Sequence, residues 1–197
     1  MNTTYRFATA VAIAFTLSAC TIARIPVDSL NYQGTAAVKS TKTASVIVRS
    51  SGIGSRQQTT MMPVGGIQIP TTQKSAGEAF NAQDQQEFEQ SLKKELVRLG
   101  IFSSATMEAS AADIGVLVNI NYSTSKTDFV EYTLNLTLTL TGGKAPFQKT
   151  YVVSSLEGDT IWQKMDTNGA QATVKVAQKT LDKMVPDIEA YVRDAVR

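Results

Sequence analysis

The chain has 197 residues, 19 basic and 17 acidic side chains, a formal net charge of +2, one cysteine and no histidine. A balance this close to neutral argues against nucleic acid as a main partner, and a lone cysteine excludes an intramolecular disulfide. Without histidine there is no Ser-His-Asp or Cys-His constellation and no imidazole metal ligand, so no catalytic residue, metal site or cofactor is assigned.

The first element is an N-terminal signal. Arg6 supplies a positive charge, and residues 7–17 form an apolar run broken only by Thr9 and Thr16. That run is too short for a permanent transmembrane helix, which needs about 20 apolar residues. It closes on Leu17, Ser18, Ala19 and Cys20, which together resemble the lipobox at which bacterial lipoproteins are cleaved and acylated. The expected division is a signal peptide over 1–19, a lipidated tether over 20–43 and one periplasmic domain over 44–197. Cys20 is the lipidation site, and acyl chains contributing about 0.8 kcal/mol per buried methylene make a lasting anchor. Thr21 stands after the cysteine instead of Asp. By resemblance to Gram-negative sorting patterns, this favours the periplasmic face of the outer membrane.

Residues 20–43 are polar and lack periodicity, hence the tether. Basic side chains outnumber Asp28 from Cys20 to Gly77, which would draw this part toward anionic headgroups or merely solvate it. A β-branched strand is predicted over 44–49. Residues 50–74 read as a long loop, with the Gly65-Gly66 pair as an alternative hairpin turn and 67–69 as a short strand. Within it Met61, Met62, Val64 and Ile67 are apolar among Gly, Ser, Thr and Gln, and Arg56 stands nearby. These five are candidate partner contacts, because a loop that only connects does not need them; capping the domain's own core is the competing role.

Ser75 and Glu78 have capping-box spacing, with Asn81 as a second N-cap, before a helix whose Phe88, Leu92, Leu96 and Leu99 share one face. Gly100 should stop it, with Ile101 and Phe102 folding back on its last turn. Two alternating runs follow. Ile114, Val116, Val118, Ile120 and Tyr122 form one apolar face; Val130, Tyr132, Leu134, Leu136, Leu138 and Leu140 form another, alternating with Thr133, Asn135, Thr137 and Thr139. Period two of this length means strands with one buried face. A Gly142-Gly143 turn leads to a third strand over 147–155, and 159–165 reads as a further short strand carrying Trp162. The last and longest pattern is helical, from about Val174 to Ala195, with Pro186 expected to kink or divide it. The fold class is α+β: an antiparallel sheet of about four strands with two amphipathic helices on one face.

The pattern of Leu92, Leu96, Leu99, Gly100, Ile101 and Phe102, then Ala112-Asp113 leading into an alternating strand, resembles small outer-membrane lipoproteins of the LPP20- and CsgG-related group and transporter auxiliary lipoproteins. From Tyr122 to the C-terminus the order is most similar to YajG-like lipoproteins. The resemblance covers roughly residues 44–197 as pattern and carries over no catalytic or binding residue.

Other chemistry is weakly signalled. Ser91 with Lys94, and the carboxylate pairs Glu87 with Glu89 and Glu157 with Asp159, fit solvated surface better than catalysis. The uncharged row Thr133, Asn135, Thr137 and Thr139 fits either a water-facing sheet or a docking surface. The expectation is a non-enzymatic, lipid-anchored accessory or assembly protein of the bacterial envelope. Its partners would be the membrane, through the anchor, and an envelope protein, with no nucleic acid and homo-oligomerisation left open. The alternatives are a carrier holding an apolar ligand such as a lipid between sheet and helices and, behind it, a carboxylate-based cell-wall enzyme.

Overall fold

The computed structural model describes residues 25, 29–50, 55–64, 67–76, 82–106, 108, 112–126 and 129–196; for 55–64, 67–76, 122 and 124–126 it describes the backbone. Cys20, Asn81 and the 1–19 segment lie outside the described residues.

The strands are β1 (Thr43–Ser50), β2 (Ser55–Val64), β3 (Ile67–Ala76), β4 (Ser104–Thr106), β5 (Ile114–Lys126), β6 (Glu131–Thr141) and β7 (Phe147–Ser154). The helices are α1 (Ala82–Arg98), α2 (Ile161–Met165) and α3 (Gly169–Val196). At one level five strands run β4-β1-β5-β6-β7, and the β2-β3 hairpin continues the sheet along the edge of β5 beyond β1. The α+β class stands, with helices packed on one face. The sheet is mixed, however, not wholly antiparallel: β1 runs parallel to both β4 and β5, and β2 parallel to β5. Local alternation specifies a strand but not its direction. Here α1 is the crossover that returns the chain in parallel between β1 and β5.

The expected long loop over 50–74 is instead mostly the β2-β3 hairpin. Its register pairs Arg56 with Ser75, Met61 with Pro70, Met62 with Ile69 and Val64 with Ile67. Pro63 and Pro70 lower strand propensity and hid it, yet β3 is an edge strand and β2 touches β5 only over Ser55–Gln57. Ser75 therefore belongs to a strand and does not cap α1.

The core is built from the predicted faces. Val46, Phe88, Leu92, Leu96, Ile114, Val116, Val118, Ile120, Leu134, Leu136, Leu138 and Leu140 are all buried. Helix α1 packs on β1 and β4, while α3 packs on β6 and β7 and meets α1. The leucines of β6 thus face the terminal helix more than α1, although all share one cluster. A bulge between Ile120 and Tyr122 shifts the alternation by one, so buried Ser123, not Tyr122, stands opposite core residue Leu134. One inserted residue moves every later position to the other face.

Helix α1 ends at Gly100, and the N–H groups of Ile101 and Phe102 both return to the Leu96 carbonyl, at 3.1 and 3.4 Å. The segment read as a short strand over 159–165 is a helical turn, α2, because Thr160 and Gln163 form a capping box. Helix α3 is not divided: Pro186 lies inside it.

The described part of the expected tether is tied down. Ile25 and Leu30 are buried in the core. Tyr32 N–H donates to Glu95 at 3.0 Å, Asn31 N–H to Gln178 at 3.0 Å, and the N–H groups of Ala37 and Val38 to Glu189 at 2.7 and 3.2 Å. Residues 29–42 therefore form a strap across the two long helices. Its polar composition hid this, since the contacts that hold it are backbone bonds to distant carboxylates and an amide.

Candidate functional site

Among the described residues, the helices cover one face of the sheet and leave the other open. Alternation puts Ser45, Ile47 and Arg49 of β1, Leu117 and Asn119 of β5, Thr137 and Thr139 of β6, and Gln148, Thr150 and Val152 of β7 on this open face. A row of side-chain hydrogen bonds crosses it. Asn119 donates to Asn121 at 3.2 Å, Asn121 to Asn135 at 2.7 Å and to Thr137 at 3.0 Å, and Thr137 meets Thr150 at 3.1 Å. Asn121 is the extra residue of the β5 bulge, which is why it can reach two residues of β6.

Two clefts indent this face. One of about 430 Å³ is lined by Arg49, Leu117, Asn119, Asn121, Thr137, Thr139 and Gln148. The other, of about 260 Å³, is lined by Ser45, Ile47, Leu117, Thr139, Thr141 and Gly142 among others. Leu117 and Thr139 belong to both, so the clefts adjoin. The Ser45 hydroxyl at the second is buried without a hydrogen-bond partner among the described residues, a desolvation cost of about 1–3 kcal/mol. The described lining of the two clefts consists of amides, hydroxyls and apolar groups with one cation, Arg49, and one carboxylate, Asp113.

The carboxylates singled out from sequence are committed elsewhere. Glu89 is buried, accepting the Val48 N–H at 2.8 Å and pairing with Lys93 at 2.8 Å, so it satisfies the outer edge of β1 beyond its contact with β4. Glu87 accepts from Gln83 at 2.9 Å on its own helix. Ser91 is buried too, its hydroxyl donating to the Glu87 carbonyl at 2.8 Å, while Lys94 is exposed. The expected solvated face of α1 is therefore partly a clamp on the sheet and the strap. Glu95 and Glu189 belong to the same device and gave no signal in sequence, because a carboxylate that caps a distant N–H has the local pattern of any surface glutamate.

Glu157 and Asp159 meet lysines of α3. Lys183 bonds Glu157 at 2.7 Å, and Lys175 and Lys179 bond Asp159 at 2.8 and 3.0 Å. The Lys183 hydrogen bond holds Glu157 below its ordinary carboxylate range. Burial alone would raise Asp159, but bonds from Lys175 and Lys179 outweigh it and lower its pKa. A cell-wall hydrolase needs one carboxyl raised; both are depressed. Folded-state pKa values below the unfolded ones mean stability that is present above about pH 4 and is lost as pH falls through the folded values. Asp159→Asn is accordingly expected to lower the urea midpoint at neutral pH and to flatten its acid dependence, the two proteins converging once the pH has fallen through the lowered Asp159 pKa.

Of the candidate partner contacts, Arg56, Met61, Met62, Val64 and Ile67 all lie on the β2-β3 hairpin. The sheet-helix layer holds close-packed side chains: Leu92, Leu96, Leu136, Leu138, Leu181 and Val185 are fully buried. Among the described residues no group of three or more acidic, His or Cys side chains is placed to hold a metal ion, and no helix is long and apolar enough to cross a membrane.

No family model matches the chain, and no curated protein does. Solved structures similar to it include a DUF330-family protein from Xanthomonas campestris, at 12% identity and TM-score 0.49, covering 83% of this chain and 91% of that one. A hypothetical protein from Chlamydia trachomatis has 12% identity and TM-score 0.47, covering 78% and 99%. An uncharacterised protein has 14% identity and TM-score 0.41, covering 77% and 98%.

Proposed function

We propose that this is a lipid-anchored accessory protein on the periplasmic face of the outer membrane, non-enzymatic, that binds an envelope protein through the open face of its sheet. The observation that carries the binding role is the open face itself. Its centre is crossed by amide and hydroxyl bonds, with Arg49 and Asp113 at the clefts and Glu131 at the start of β6, and it holds a buried hydroxyl with no hydrogen-bond partner among the described residues. Natural solvent faces usually interpose charge against edge and face association; the central row Asn119, Asn121, Asn135, Thr137 and Thr150 carries none. The hairpin bearing Arg56, Met61, Met62, Val64 and Ile67 extends the same sheet and is proposed as part of the contact. The lipobox-like residues up to Cys20 support the address, and an anchor raises effective concentration at the membrane without requiring high affinity. The close packing between sheet and helices favours this reading over a carrier of an apolar ligand in that layer, and the lysine-paired carboxylates favour it over a hydrolase.

The test places a photo-crosslinking amino acid at Thr139 or Gln148 of the full-length protein in cells, with Gln171 on α3 as control. A discrete adduct from the sheet positions and none from Gln171 is expected. Thr137→Lys should abolish that adduct with less than about 1.5 kcal/mol change in stability, the scale of the hydrogen bonds removed. Equal crosslinking from both sides, or an adduct indifferent to Thr137→Lys, would reject the open face as the contact.

A further inference from the structure

Seven large apolar side chains are well exposed among the described residues, and four of them, Phe129, Ile161, Trp162 and Met165, stand at one end of the molecule. Trp162 is 72% exposed, Met165 62% and Ile161 56%. Three residues of one five-residue helix turn their apolar bodies to solvent, although a capping box fixes that turn and it is no loose end. Their position follows from chain connections. Helix α2 runs into α3 through Asp166, Thr167 and Asn168, and a Cβ at Gly169 would lie 3.3 Å from the Tyr132 hydroxyl, which brings the start of β6 to the same end. Phe129 precedes that start by two residues. A cleft of about 500 Å³, lined by Gln163, Ala170, Val174 and Lys175 among others, lies beside the turn.

The strap gives a second, independent line. Ala37 and Val38 bond Glu189, and Asn31 bonds Gln178. Traced backward, the strap thus runs along α3 from its C-terminal half toward its N-terminal half, which begins at Gly169. Leu30 and Ile25 are buried, Ile25 at 1% exposure. Ile25 is five positions on from Cys20, a reach of at most about 18 Å when fully extended. An acyl chain on Cys20 therefore enters the bilayer within about 18 Å of the domain's core, so the domain is held against the membrane instead of hanging from a long leash.

We propose that the α2 turn, with Phe129 at the same end of the sheet, is a membrane seat: Ile161, Trp162 and Met165 enter the headgroup region of the bilayer that holds the anchor. Indole is suited to that depth, with an apolar body and a polar N–H, and is enriched at membrane interfaces. Lys164 is the one charged side chain inside the turn, and a lysine stem can lie along the apolar surface with its ammonium among phosphates. The seat fixes which end of the domain faces lipid and leaves the open sheet face free for a partner. It rests on the lipid-anchor reading of the proposed function.

Trp162 is the only tryptophan in the chain, so intrinsic fluorescence reports on this turn alone. The protein, purified from membranes as it is made, is reconstituted into phosphatidylethanolamine–phosphatidylglycerol vesicles with or without brominated acyl chains. Blue-shifted emission, loss of most intensity to brominated lipid and protection from aqueous iodide are expected. Ile161→Ser with Met165→Ser should return the emission to iodide-accessible values with the melting temperature unchanged, since both side chains are exposed. Emission that is iodide-quenched and indifferent to brominated lipid overturns the seat. So does a blue shift that appears only when a detergent extract of envelope proteins is added, which would mark a protein contact. The mass of the mature chain reads the anchor separately. An unacylated mass rejects the anchor while the same fluorescence test on added vesicles still decides the seat; an acylated chain with exposed Trp162 rejects the seat alone.

Discussion

Leu136→Ala is expected to cost about 2 to 5 kcal/mol of unfolding free energy, the range for a large core side chain truncated to leave a cavity. Leu136 is fully buried in the middle of β6, paired with Ile120 on one side and Tyr151 on the other, beneath α3. Strands on both sides and a helix above leave little freedom for collapse, so the upper half of the range applies. Thr137→Ala, one position along, removes bonds to Asn121 and Thr150 on the open face. Each such bond contributes about 0.5 to 1.5 kcal/mol net, and water can replace the lost partner on an open face, so about 1 kcal/mol is expected. Urea midpoints at equal m-value measure both. Equal losses would mean that the helices cover the other face.

Gly142→Val is expected to lower stability by about 2 to 5 kcal/mol, combining backbone strain with overpacking. Gly142 has φ +91°, and a Cβ there would stand 2.0 Å from the Asp113 carbonyl oxygen, backbone that no side-chain rotation can move aside. The displaced segment matters because the Asp113 carboxylate accepts the Thr43 N–H at 2.7 Å and its hydroxyl at 3.0 Å, fastening the start of β1 to the start of β5. Those bonds hold the Asp113 pKa below its ordinary value. Gly158 is the control: φ is +77°, but nothing lies within 4 Å of the added Cβ. Gly158→Ala therefore meets only the left-handed backbone cost, about 1 kcal/mol. At roughly 2 to 4 °C per kcal/mol for a chain of this size, the melting temperatures separate clearly. Equal shifts would show that the clash is relieved without cost and that the turn is not fixed by Asp113.

Local pattern was enough for the elements that obey one period over many residues. The alternation in 114–120 and 130–140 marked the buried face of the sheet, the four-four-three spacing of Phe88, Leu92, Leu96 and Leu99 marked α1, and Gly100 with Ile101 and Phe102 marked its end. Composition alone narrowed the chemistry, since a chain without histidine lacks the commonest general base and metal ligand. The element readings depend on residues near one another in the chain, where side-chain direction is fixed by backbone geometry alone.

Only the tertiary structure decided the rest, and each case turns on a partner distant in sequence. Strand direction depends on which edge β1 meets, so the parallel β4-β1-β5 pairing was invisible in β1 itself. The β2-β3 hairpin carries prolines that a single strand would reject and that an outer edge tolerates. One bulged residue, Asn121, moved Ser123 into the core register and gave the open face its hydrogen-bonded centre. The strap over 29–42 looks unstructured because Glu95, Gln178 and Glu189 supply its bonds from 63 to 152 residues away. Trp162 had no periodic neighbours to mark it; its exposure emerged only when the capped turn was set against α3. A sequence records which residues prefer to be buried or paired, but whether a carboxylate binds water or a distant N–H is decided by packing, and that is where the candidate site of this protein was settled.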